Sequence, residues 1–178
     1  MPGLKFRVLL DTSKNGEVFR DILISENENF ESFFQEILNC YGFKGNQMAS
    51  FYVSNENWDK GEEISLLDLV GGEEHPLLDI MKDTPIKKYL SEPNQKFILV
   101  YDFLKMWIFL IELIDIQEET PRSPQLLISV GDSPSEDSKE LSDDFLMVSD
   151  DIGENDEDDY GFGDFEDGFS DEDMNSFL

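Results

Sequence analysis

Residues 97–116 read FILVYDFLKMWIFLIELIDI, and no other stretch limits the fold as strongly. A run of this length and character fits either one membrane-spanning helix or two long strands. The charges within it decide. Asp102, Lys105, Glu112 and Asp115 all fall inside the run. A central charge costs about 2.5–3.5 kcal/mol on insertion, whereas each large aliphatic returns only about 0.3–0.6 kcal/mol. The run therefore reads as soluble strands, KFILVYDF and MWIFLIELIDI, separated by roughly two residues and paired as an antiparallel hairpin. No membrane association is expected.

Two strands need more sheet and a cover. Residues 4–24 read as a β-hairpin: LKFRVLLD sets Leu4, Phe6, Val8 and Leu10 against Lys5, Arg7 and Leu9, EVFRDILI is the second strand, and SKNGE lies between them, where Asn15-Gly16 suits a type I′ turn. Phe30, Phe33, Phe34, Ile37, Leu38 and Tyr41 then form one apolar helical stripe. Asn29 is placed to cap its start and Gly42 its end. MASFYVS, 48–54, is a third strand. The pattern weakens over 55–84: Ser65 and Asp68 have capping-box spacing before Leu69 and Val70, and Leu77, Leu78, Ile80 and Met81 form a short apolar group. TPIKKYL offers Thr84 as a helix cap with Pro85 at the first helical position. The order β-β-α-β, short helices, β-β predicts an α+β domain: a mostly antiparallel or mixed sheet of about five strands with one main amphipathic helix packed on it.

From about residue 117 the composition changes. PRSPQLLISVGDSPSEDS is rich in Pro and Ser. Residues 1–130 carry 22 acidic and 12 basic residues; residues 131–178 carry 19 acidic residues and one lysine. Such charge density opposes burial of a core, so the reading is an α+β domain over 1–120, then a Pro/Ser linker and a disordered acidic-aromatic tail over 121–178. The excess negative charge repels phosphate backbones, so direct nucleic-acid binding is not expected, and a protein with a basic surface is the expected partner.

Catalytic patterns are sparse. Asp102 could serve as a general base beside Tyr101 and Trp107, with Lys105 near in sequence. The competing reading is that Asp102 accepts backbone N–H bonds as the chain enters a turn, which makes Tyr101, Asp102, Phe103 and Trp107 structural. Cys40 and His75 could form a dyad only if the fold brought them together. As the one cysteine, Cys40 forms no internal disulfide, which fits a reducing cytoplasm, and the N-terminus has no signal-peptide pattern. A calcium-loop alignment beginning at Asp156 fails at Tyr160, with Asp167 in place of the final Glu. Gly131-Asp-Ser-Pro-Ser135 fails as a nucleophile elbow. No cofactor or metal is expected. In the tail, Tyr160, Phe162, Phe165 and Phe169 recur among carboxylates. The segment reads equally as a solvating tail or as an interaction tail; in the second reading these residues are the candidate partner-binding anchors, with the charges giving long-range attraction.

Phe19-Arg20, the helix start Phe30 to Phe34, Tyr41-Gly42-Phe43, and Tyr101-Asp102-Phe103 with Trp107 resemble the plasmid ORF-three-like family, first named from an Ri plasmid and also found as passenger genes of insertion elements. The resemblance covers roughly residues 4–116. Leu104-Lys105 stand where that family has Gly-Asp, and Phe34 where it has His, so a polar cluster built from that His and second Asp is absent. The resemblance implies no activity, and it suggests a mobile-element association. A resolvase label does not suit a chain whose only arginines are Arg7, Arg20 and Arg122.

These observations favour a non-enzymatic cytoplasmic protein-protein interaction module whose tail engages a basic partner. The alternatives are an enzyme or small-ligand site at the YDFLKMW hairpin, and a mobile-element-associated regulator or DNA mimic.

Overall fold

The computed structural model describes residues 2–12, 16–68 and 78–140. Among these residues the strands are β1 (Gly3–Leu10), β2 (Phe19–Ser25), β3 (Ala49–Ser54), β4 (Lys60–Ser65), β5 (Asp79–Ile80), β6 (Lys96–Tyr101), β7 (Trp107–Gln117) and β8 (Gln125–Val130), with one α-helix, α1 (Phe30–Tyr41). They form a single sheet in the order β5-β4-β3-β6-β7-β1-β2-β8. Only the β4–β5 pair is parallel. The α+β expectation holds, but the sheet has eight strands, not about five.

Helix α1 forms where the stripe places it. The Asn29 side chain accepts from the Ser32 N–H at 2.8 Å, and Gly42 closes the helix in the left-handed region at φ 73°. Capping contributes about 1 kcal/mol. Burial is larger: Phe30, Phe33, Phe34, Ile37, Leu38 and Tyr41 are all buried, and each such side chain contributes roughly 1.5–3 kcal/mol. Packing therefore fixes the helix. Its aromatic face meets the sheet through Phe33 on Phe6, with ring centroids 4.8 Å apart, and through Phe30 on Phe51 at 5.0 Å.

The other sheet face carries two ordered rows. Register aligns Tyr52, Ile98, Leu110, Leu9, Phe19 and Val130 across six strands. Beside them run Lys96, Glu112, Arg7 and Asp21, alternating in charge. The Arg7 Nε and Nη2 each donate to Asp21 at 2.9 Å, and Lys96 Nζ lies 3.1 Å from Glu112. Opposite charges across strands support register, and the buried Asp21 carboxylate has its charge matched.

Several local expectations change. Five residues, 102–106, join β6 to β7 rather than about two. Ser65 ends β4 instead of capping a helix, and its Oγ donates to Leu67 O at 2.8 Å. Leu78 is exposed, and the apolar group after it is split between β5 and the 3-10 turn Met81–Asp83. Thr84 is not a cap, because its hydroxyl donates to Ile80 O at 2.7 Å; Pro85 precedes a 3-10 turn, Ile86–Tyr89. Residues 125–130 pair with β2, although the sequence reading left them in the linker. The Asn15 half of the expected hairpin turn, His75, Leu69, Val70, Leu77, and the acidic tail from residue 141 lie outside the described residues, whereas residues 121–140, expected to belong to the linker and disordered tail, are described and include β8.

Candidate functional site

Residues from four separate sequence motifs meet at one end of the sheet. The Arg20 guanidinium lies over the Tyr41 ring at 4.7 Å. Phe43 packs on Tyr101 at 6.0 Å and on Trp107 at 4.9 Å. Phe34 meets Tyr101 at 6.0 Å, so an aromatic contact occupies the position where the resembling family has His. Gly42 lets this happen: its left-handed turn reverses the chain after α1 and brings Phe43 back onto β6 and β7.

Arg20 is 4% exposed, and its donors meet three backbone carbonyls. It donates to Phe19 O at 2.9 Å, Val130 O at 2.8 Å and Cys40 O at 3.4 Å. One side chain thereby joins β2, β8 and the end of α1, with the planar fork that only Arg supplies. Tyr41 donates to Val8 O at 2.8 Å, and burial raises its hydroxyl pKa.

After β8 the chain crosses this cluster as a strap over residues 131–139. Ser133 Oγ donates to Tyr41 O at 2.7 Å. Glu136 accepts from the Tyr101 hydroxyl at 2.7 Å and from the Lys44 N–H at 2.6 Å. Gly45 N–H donates to the Tyr101 oxygen at 3.0 Å. Lys139 donates to Met106 O and sits over the Trp107 ring, 5.3 Å from its centroid. Burial, followed by the Glu136 bond, pushes Tyr101 up to about 12. Burial lowers Lys139. The sequence offered no sign of this strap beyond a Ser-Pro pair and a lone glutamate.

The structure places the YDFLKMW residues in a turn. Asp102 is buried at φ 62°, and its Oδ1 accepts from Leu104 N at 3.1 Å and Lys105 N at 3.2 Å. Its carboxylate is therefore occupied by backbone. Trp107 is buried and Phe103 exposed. Trp107 Nε1 is buried without a hydrogen-bond partner. None of the three clefts described is lined by any of these four residues. The cleft of about 750 Å³ beside α1 is lined by Phe34, Leu38, Phe43, Lys44, Leu66 and Leu67 among others, and Tyr101, Asp102, Phe103 and Trp107 do not line it.

Cys40 is half-buried and donates to Glu36 at 3.5 Å. Burial and the Glu36 charge push its thiol up to about 12, the opposite of an activated nucleophile. Among the described residues no group of three or more His, Cys, Asp and Glu is placed to hold a metal. No described helix is long and apolar enough to cross a membrane. The candidate anchors Tyr160, Phe162, Phe165 and Phe169, and the calcium-loop alignment, lie outside the described residues.

The family described as plasmid pRiA4b ORF-3-like protein matches residues 2–173. The match extends well past the 4–116 span of the motifs and into the acidic segment. A crystal structure of a protein of unknown function, MM3350 from Methanosarcina mazei Go1, is similar in fold, with a TM-score of 0.65 at 18% identity over 90% of this chain and 88% of that one. No curated protein matches.

Proposed function

The chain belongs to the plasmid pRiA4b ORF-3-like family, and from the arrangement of its residues we propose that it is a non-enzymatic protein-binding module of the cytoplasm. Its acidic-aromatic segment engages a basic protein partner. Carboxylates steer the approach, and Tyr160, Phe162, Phe165 and Phe169 act as anchors. The observation that carries the binding reading is β8: all six of its residues are exposed, and four of them are Leu126, Leu127, Ile128 and Val130. Apolar surface left open at a sheet edge suits a partner. The motif cluster supports the non-enzymatic half of the reading. Among the described residues of the cluster, Asp102, Arg20, Tyr101 and Glu136 each hydrogen-bond within the protein, which commits them to structural bonds.

The test compares the full chain with a version carrying Ala at positions 160, 162, 165 and 169. Each is immobilised and exposed to cell lysate at low and high salt. The reading expects basic proteins retained by the native chain, released by salt and lost from the variant. Equal retention by both would remove the aromatic anchors from the mechanism.

A further inference from the structure

The two ends of the sheet are built differently. β5, at one end of the strand order, is two residues long. β8, at the other, has six residues, QLLISV, with no charge and no proline. Folded proteins normally blunt a sheet edge with short strands, charges, prolines or bulges, because unpaired backbone groups accept any passing strand. At β8 the only such device is one register shift opposite Asp21/Ile22. Val130 also ends the apolar row that crosses six strands, so an added strand would continue that row.

The C-terminal end of β8 is acidic, because exposed Asp132 follows Gly131 there. The approach to its N-terminal end, residues 118–124, carries Glu118 and Glu119 and, nearer the strand, Arg122, all exposed. Arg20 is committed to Val130 O. The strand is uncharged and four of its six residues are apolar, so the edge has an apolar middle and a carboxylate beyond its C-terminal end. A second copy of the chain would bring a further formal charge of −28, whereas a cationic strand would find opposite charge at Asp132 and in the chain as a whole.

We propose that β8 is a strand-addition site, taking an extended segment of a basic protein that is β-branched or apolar at its centre and carries Lys or Arg where it meets Asp132. The segment adds beyond β8, with ladder hydrogen bonds giving affinity and the cation at Asp132 giving orientation. This rests on the basic-partner reading above and gives that partner a second point of contact.

The test uses the full chain and a fluorescent synthetic peptide of alternating valine and threonine with lysines at both ends. Controls are the same peptide N-methylated at alternate residues, and an acidic version with glutamates at its ends. The proposal expects saturable binding of the cationic peptide. Ile128→Pro, which removes an N–H and bars close pairing, should weaken it roughly tenfold or more. N-methylation should weaken it to the same degree without touching the protein, which covers the case in which Ile128→Pro disturbs folding. The acidic peptide should not bind. Equal binding of methylated and unmethylated peptides overturns the proposal, as does failure of the cationic peptide to bind the native chain. A native chain that dimerises, and loses its dimer in Ile128→Pro, also overturns it, in favour of a second copy. Binding lost with Ala at 160, 162, 165 and 169 but kept in Ile128→Pro rejects β8 and leaves the acidic-segment reading standing.

Discussion

The Tyr101 hydroxyl donates to the Glu136 carboxylate at 2.7 Å, joining β6 to a segment 35 residues further along the chain. The bond closes the end of the sheet where Arg20, Tyr41, Phe43 and Trp107 gather. Glu136 also accepts from Lys44 N–H, so its removal leaves two donors unsatisfied. Tyr101→Phe and Glu136→Gln should each lower stability by about 1–2 kcal/mol, the cost of leaving a buried partner unpaired. Urea unfolding of the singles and the double checks this. Coupling between the two of more than about 0.5 kcal/mol is expected, and additive losses would mean the bond contributes little in solution.

The same tyrosine sets an alkaline limit. Its folded pKa is raised to about 12 from 10.0, first by burial and then by Glu136, and burial also raises Tyr41 and Tyr89. A raised pKa favours the protonated form in the folded state. The stability it represents is therefore complete below the unfolded value near 10 and is lost as pH climbs towards 12. Thermal unfolding followed from about pH 9 upward should show a falling Tm, with tyrosinate absorbance rising together with unfolding. Ionisation of these tyrosines near pH 10 in a chain that stays folded would contradict it.

Asp102 holds a left-handed backbone conformation and accepts two N–H bonds in the turn. Asn keeps the local acceptor and tolerates that conformation, so Asp102→Asn should cost less than about 0.5 kcal/mol. Asp102→Ala loses both advantages and should cost about 2 kcal/mol. Asp102→Gly relieves the strain but loses the acceptor, and should fall between them. Denaturant midpoints for the three variants order them directly. A different ranking would assign Asp102 some role beyond the turn.

Much of this was legible in the sequence wherever a residue had one dominant physical task. The six apolar side chains of α1 repeat at helical spacing because one face is buried, and Asn29 and Gly42 mark its ends by hydrogen bonding and by φ. The charges in 97–116 identified β6 and β7 correctly. The signal fails where burial fails. β8 is exposed on both faces, so QLLISV shows no alternation, and its Pro and Ser flanks read as a linker. β4 is KGEEIS, a polar strand with only Ile64 to betray it. Gly61 is needed there, since a Cβ would lie 2.8 Å from Val53 O. The turn at 102–106 was read as too short, because Asp102 and Met106 both adopt positive φ without being glycine. No local pattern announces that the partners of Arg20 lie on Cys40 and Val130.

That arrangement makes Arg20→Lys informative. A lysine keeps the charge but has one nitrogen, so it cannot serve Phe19 O and Val130 O, as Nη1 does, and also Cys40 O, as Nε does. Stability should fall by about 1–3 kcal/mol. Amide exchange should quicken over Gln125–Val130 more than in β6. Uniform acceleration throughout the sheet would show that Arg20 supports the whole fold and not the β8 attachment.

The last prediction concerns where the folded unit ends. Met1–Glu140 form one compact unit, which includes β8 and the strap. A chain ending at residue 120 loses the β2–β8 ladder, both Glu136 bonds and the Ser133 bond to Tyr41. It also exposes the outer edge of β2, beside which Leu23 is now buried. Several hydrogen bonds at about 1 kcal/mol each, with the lost burial, exceed roughly 3 kcal/mol, or about 10 °C in Tm. A chain ending at residue 140 keeps all of these contacts. Calorimetry should therefore place the shorter version well below the longer one, with faster amide exchange in β2. Equal melting of the two would mean that β8 and the strap rest on the sheet without stabilising it, and would leave the edge of β2 as the true end of the domain.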